Sequence, residues 1–126
     1  MNKKIKVLIV DDEPHIIILI KLSLRKDKFK VQGAYSSREC LLLLKDSRNI
    51  PDIFILDICM PEINGYELCQ TLCENKETKH IPKIFLSGRG QQSDKLHAIE
   101  VGADDYITKP FDPTDVERRI RLNCGR

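Results

Sequence analysis

Apolar and polar positions alternate along this chain in blocks of two kinds. Residues 5–10, 52–57 and 83–87 are short, almost continuously apolar runs. That is the pattern of strands covered on both faces in a parallel sheet. A more mixed run at 29–34, with Phe29, Val31 and Ala34 as its less polar members, reads as another strand, and a fifth falls at about 104–108. Between them lie stretches of helical period: about 14–26, a segment opened by Ser36 and Glu39 and running to about 46, then 64–74, 91–101, and a last helix to about 123. The punctuation agrees. Ser36 and Glu39 have capping-box spacing, Gly102 suits a helix C-terminus, and Asp112-Pro113 gives an N-cap followed by proline at the first helical position. Pro51 and Pro82 each precede an apolar run.

The order is therefore (βα)5. Strict alternation predicts an α/β fold with an open, doubly wound, five-stranded parallel sheet, and five units are too few for an eight-stranded barrel. Repeats, linkers and low-complexity segments are not evident, so residues 1–126 read as one domain. In such sheets ligands bind at the carboxyl ends of strands, and those ends carry the chemistry here. Lys-Val-Leu-Ile-Val stops at Asp11-Asp12, and Ile-Phe-Ile-Leu stops at Asp57. If the two runs are neighbours, three carboxylates crowd one sheet edge, where like charges oppose ionisation unless a cation sits among them. A hard divalent metal and phosphate chemistry are the natural inference. Each residue also has a plainer reading: Asp11 and Asp12 as helix caps, Asp57 as a turn residue, Ser87 before a glycine-bearing turn, Lys109 as a solvated charge, Tyr106 as a strand aromatic. Taken together these lose weight, because four of five strands deliver an acid, a hydroxyl or an amine to the same edge.

Composition narrows the function without naming it. The chain has 126 residues, 41% apolar and 32% charged, with net charge +2, which is too small to imply nucleic-acid binding. Its apolar runs fall short of the roughly 20 residues a membrane helix needs, and Met1-Asn2-Lys3-Lys4 leads into a strand rather than a signal sequence, so a cytoplasmic protein is expected. The five cysteines are an odd number and read as reduced thiols. Cys69 and Cys73 share a helix face, but no second pair at zinc spacing completes a metal site, and small buried hydrophobes are the better reading.

The segments Val-Asp-Asp-Glu-Pro at 10–14, Leu-Asp-Ile-Cys-Met-Pro at 56–61 with Asn64-Gly65, Leu-Ser-Gly-Arg-Gly at 86–90, and Gly-Ala-Asp-Asp-Tyr-Ile-Thr-Lys-Pro-Phe at 102–111 carry a resemblance. In this order and spacing the chain resembles, over essentially its whole length, the receiver domain of bacterial two-component response regulators, a flavodoxin-like fold. The resemblance implies that Asp57 accepts a phosphoryl group from a phosphohistidine on a histidine kinase or phosphotransfer protein. It implies that Asp12 and Asp57 bind Mg2+ (or Mn2+), with Asp11 nearby and the main-chain carbonyl of Cys59 as a further ligand. Lys109 would pair with the phosphoryl group, its bond to Pro110 cis, and Ser87 and Tyr106 would occupy the switch positions. Arg89, two residues after Ser87, would influence phosphoryl lifetime, as would Cys59, and Gly88 replaces a common alanine. The partners implied are a kinase and a downstream protein or attached output domain, with a homodimer on phosphorylation possible through Arg118, Arg119, Arg121, Asp104 and Asp105; no membrane or direct nucleic-acid contact is implied.

The first helix carries more apolar residues than one core stripe needs. Ile16, Leu19, Ile20 and Leu24 satisfy the period, leaving Ile17, Ile18 and Leu22 as surplus. They are either scattered surface residues or a hydrophobic docking surface. The helix at 91–101 has few apolar members, Leu96, Ala98, Ile99 and Val101, and suits an element docked weakly enough to shift. Two other functions compete. A magnesium-dependent phosphatase of the dehalogenase type also uses a strand-end aspartate, but it places a second aspartate where this chain has Cys59. A receiver cut from a longer regulator with a DNA-binding or enzymatic output would show this same sequence.

Overall fold

The computed structural model describes residues 3–88 and 92–125, without the side chains of 92–94; Arg89 therefore lies outside the described residues. Its strands are β1 (Ile5–Val10), β2 (Phe29–Ala34), β3 (Ile53–Asp57), β4 (Lys83–Ser87) and β5 (Asp105–Thr108). Its helices are α1 (Pro14–Ser23), α2 (Ser37–Leu43), α3 (Gly65–Glu74), α4 (Gln92–Glu100) and α5 (Pro113–Asn123), with one short 3-10 turn at Ser47–Asn49. All strand pairs are parallel, in the order β2-β1-β3-β4-β5. The expected α/β sheet is thus the one observed.

Side-chain alternation on the central strands divides the core in two. Ile5, Val7 and Ile9 of β1, with Ile53 and Ile55 of β3, pack against Ile16, Ile17 and Ile20 of α1 and Val116 and Ile120 of α5. Leu8, Val10, Phe54 and Leu56 point the other way, to Cys40 of α2, Leu68 and Leu72 of α3, and Ala98 of α4. β3 and β4 are buried along their full length, as their continuous apolar pattern requires.

Two helices are shorter than their period predicts. α1 ends at Ser23, not near 26, because Leu24 becomes extended and turns into the core, while the amides of Lys28 and Phe29 close a turn on the Arg25 carbonyl. α2 ends at Leu43, not near 46, because Lys45 and Asp46 donate to Leu42 and Leu43, three residues back rather than four. The α2 cap is also modified: Ser36 accepts from the Glu39 amide, but the Glu39 carboxylate reaches the Tyr35 amide. The complete reciprocal cap is at α3, between Asn64 and Glu67. The C-terminal cap at Gly102 (φ 102°) and the Asp112-Pro113 start of α5 are as expected.

The α1 stripe requires a correction. Ile17, expected as surplus, is 1% exposed, and Leu19, expected in the core, is 49% exposed. Gly33 on β2 decides this: a Cβ there would lie 2.7 Å from Ile17 Cγ2, so the missing side chain makes the seat for Ile17. Ile18, Leu19 and Leu22 are the large apolar residues left outside. Among the described residues no helix is long and apolar enough to cross a membrane.

Candidate metal centre

Strand register builds the site. Val10 pairs with Ala34 on one side and Leu56 on the other, so Asp11-Asp12 and Asp57 emerge from adjacent strands. Ligand oxygens of Asp11, Asp12 and Asp57 lie within 4.8 Å of one another. Asp11 and Asp57 are buried and Asp12 is exposed. On the next strand pair Ser87 stands opposite Thr108, and Lys109 follows, its amide donating to the Ser87 carbonyl. The Lys109-Pro110 bond is cis. Lys109 Nζ lies 3.1 Å from Asp11 Oδ2, 3.2 Å from Glu13 Oε1 and 3.4 Å from Asp57 Oδ1.

The loop after β3 is held tightly to Asp57. The Gly65 amide donates to the Ile58 carbonyl, and a Cβ on Gly65 would lie only 2.2 Å from the Asp57 carbonyl oxygen. Glycine is required there because α3 starts against the strand end itself. Cys59 lies in this loop with its side chain exposed. Glu62 has φ 67°, a left-handed conformation that a side chain disfavours.

Burial and the neighbouring Asp11 charge push the Asp57 carboxyl up to about 7, against the pull of Lys109. Burial also raises Asp11, against the Glu13 amide and Lys109. For Lys109, burial works to lower the pKa, but the Asp57 and Asp11 carboxylates outweigh it and hold the ammonium above its usual range. Among the described residues, one cation thus compensates several acids incompletely. Asp11 Oδ2 is buried and ion-paired to Lys109 at 3.1 Å, yet no well-directed donor completes its hydrogen bonding. A buried carboxylate oxygen without a well-directed donor, among three converging carboxylates, fits a hard divalent cation with oxygen ligands.

The three acids expected at the metal, Asp11, Asp12 and Asp57, therefore sit at one edge, with Lys109 against Asp11 and Asp57. Ser87 is buried at the end of β4, and Tyr106 is half-buried on β5. Glu13 was missed. It stands in the acidic run but reads as the lead-in to α1, and only the folded chain brings it to Lys109 across a sequence separation of 96. Cys69 and Cys73 do share a face, both thiols approaching the Val101 carbonyl, and among the described residues they belong to no group of metal-ligating side chains. Arg119 is engaged within the chain by Asp105 and Asp115, Arg118 by Asp115, and Arg121 by Glu117. A cavity of about 470 Å3 adjoins the site, lined by Glu13, Ile16, Leu19, Lys109, Pro110 and Phe111 among others.

A doubly wound sheet with an acidic triad and a lysine at its carboxyl edge defines a class, and comparison identifies it. Residues 7–121 match the response regulator receiver domain, and the chain belongs to that family. It is 36% identical over 126 residues to the alkaline phosphatase synthesis transcriptional regulatory protein PhoP of Bacillus subtilis, covering 100% of this chain and 50% of that protein. It is 33% identical over 121 residues to the phosphate regulon transcriptional regulatory protein PhoB of Rhizobium meliloti, covering 96% of this chain and 52% of that one. The chain thus spans about half the length of these curated relatives. Among solved structures, the receiver domain of Francisella response regulator 1452 superposes with TM-score 0.86 at 29% identity, covering 98% of each chain. Vibrio cholerae chemotaxis protein CheY4 gives TM-score 0.86 at 26% identity, covering 96% of this chain and 99% of that one.

Proposed function

We propose that Asp57 is the phosphoacceptor of this receiver domain and that a histidine kinase or phosphotransfer protein is its donor. The observation that carries this is the meeting of Asp11, Asp12 and Asp57 within 4.8 Å, with Lys109 3.4 Å from Asp57. An Asp57 carboxylate oxygen attacks phosphorus, the bond from phosphorus to the donor imidazole nitrogen breaks, and its electron pair stays on that nitrogen. The product is an acyl phosphate. Mg2+ (or Mn2+), held by Asp11, Asp12, Asp57 and the main-chain carbonyl of Cys59, would neutralise the phosphoryl oxygens. Lys109 gains a new anionic partner and exchanges Glu13 and Asp11 for the phosphoryl group. Ser87 donates its hydroxyl to a phosphoryl oxygen and vacates space that the Tyr106 ring turns in to fill. The added charge of roughly −1.5 to −2 biases α4 and β5 through its different interactions with the two arrangements. The domain so read catalyses its own phosphorylation and dephosphorylation and turns over no external substrate.

The donor is read to dock beside α1. Ile18, Leu19 and Leu22 are exposed there, and Leu19 lines the cavity at Lys109. This is an apolar patch suited to a helix that carries the phosphohistidine. Equal phosphotransfer rate and donor affinity in Ile18→Lys would remove that assignment. We read residues 1–126 as one cytoplasmic receiver module acting on a downstream partner or an attached output domain, and as capable of pairing on phosphorylation. A DNA-binding output is the specific second reading, because PhoB and PhoP are named transcriptional regulators and this chain covers about half of each. Incubation with phosphoramidate and Mg2+ tests the main reading. Wild type is expected to gain the mass of one phosphoryl group and Asp57→Asn none; no gain on wild type, or equal gain on both, overturns it.

A further inference from the structure

We propose that Lys95 is a positioning residue for the switch, holding the Tyr106 ring in its half-exposed place through a cation–π contact. The proposal rests on the role given above to Tyr106 and extends it to a residue that touches no reacting atom. Lys95 is exposed on α4, and its Nζ lies 5.8 Å from the centroid of the Tyr106 ring on β5. That is inside the roughly 6 Å over which an ammonium is attracted to an aromatic face.

Two features give this exposed contact weight. The first is how thinly α4 is docked. Leu96 and Ile99 are 55% and 68% exposed, so among its described side chains only Ala98 is buried, with Val101 just beyond the helix. Contacts at its flanks therefore bear on where it sits: His97 against Tyr66 on α3, ring centroids 4.2 Å apart, and Lys95 against Tyr106 on β5. The second is the state of the neighbouring acid. The Asp105 carboxylate already accepts from Arg119, from Asn123 and from the Tyr106 amide. An acid occupied by three donors competes poorly for Lys95, and among the described residues the ring is the acceptor Lys95 meets.

The same contact joins the two parts of the switch. Turning the ring inward separates it from the ammonium, and shifting α4 carries the ammonium from the ring. Lys95 therefore favours the unphosphorylated arrangement of both and sets how far phosphate must bias them. A cation–π contact at an exposed site is worth roughly a two- to fivefold change in population.

The test is the ring resonance of 13C-labelled Tyr106 in wild type, Lys95→Met and Lys95→Arg. Met keeps the length and helix propensity of lysine without charge, whereas Arg keeps the cation. Wild type with and without beryllofluoride and Mg2+ fixes the two end positions; an unresponsive ring there overturns the switch role itself. In unliganded protein, Lys95→Met is expected to move the resonance toward the beryllofluoride end, raising the inward fraction roughly two- to fivefold, with Lys95→Arg close to wild type. An unmoved resonance in Lys95→Met, or an equal displacement in Lys95→Arg, overturns the proposal for Lys95 whatever the beryllofluoride arm gives.

Discussion

Replacing Asp57 by asparagine should make the metal-free domain more stable, and the gain should depend on pH. The Asp57 carboxyl is raised from 3.8 to about 7 by burial first and by Asp11 next, with Lys109 opposing. Between those values the native state holds a proton that the unfolded chain has lost. Stability then falls as pH rises, and the fall levels off above the folded pKa. At about 1.4 kcal/mol per unit the full loss is on the order of 4 kcal/mol, an upper bound because Asp11 and Lys109 readjust around the site. Asp57→Asn removes the titrating group and keeps the shape. The expected gain is about 2–4 kcal/mol near pH 8, shrinking toward zero near pH 4. Asp11 is raised as well and contributes loss of the same sign in both proteins. Urea unfolding followed by circular dichroism in chelator, from about pH 4 to about pH 8.5, reads the difference. Added Mg2+ should narrow it by stabilising wild type. A variant no more stable than wild type near pH 8, or a difference that ignores pH, would refute the reasoning.

Four further outcomes follow from the geometry. Gly65→Ala would place a Cβ 2.2 Å from the Asp57 carbonyl oxygen, so a loss of about 3 kcal/mol or more is expected in denaturant unfolding. Glu62 sits at φ 67°, so Glu62→Gly should raise the midpoint of unfolding by an amount equivalent to about 0.5–1 kcal/mol. Glu13 is half-exposed and shares Lys109 with the buried acids, so Glu13→Gln should weaken Mg2+ binding by calorimetry only about two- to fivefold, whereas Asp12→Ala should abolish measurable binding.

The sequence was legible where one physical rule acted alone. Continuous apolar runs gave β1, β3 and β4, whose ends carry Asp11, Asp12, Asp57 and Ser87, and Lys109 follows β5; parallel strands place all these carboxyl ends on one edge. It was less legible where two rules competed. The α1 helix is apolar on more than one face, so its period put Leu19 in the core and Ile17 in the surplus, and a glycine on another strand reversed that choice. The ends of α1 and α2 were misplaced because helix-forming residues run on past the point where tertiary packing turns the chain. Glu13 and Lys95 were not found because each acts through a contact distant in sequence or between separate elements, with no local pattern to mark it.

The central claim is that Asp57 carries the phosphoryl group as an acyl phosphate. Borohydride cleaves an acyl phosphate reductively and converts the aspartate that bore it to homoserine, which peptide mass spectrometry can locate. After phosphoramidate and Mg2+, homoserine is expected at position 57 and nowhere else. Homoserine at Asp11 or Asp12, or none at any aspartate of a chain that has gained phosphoryl mass, would contradict the claim.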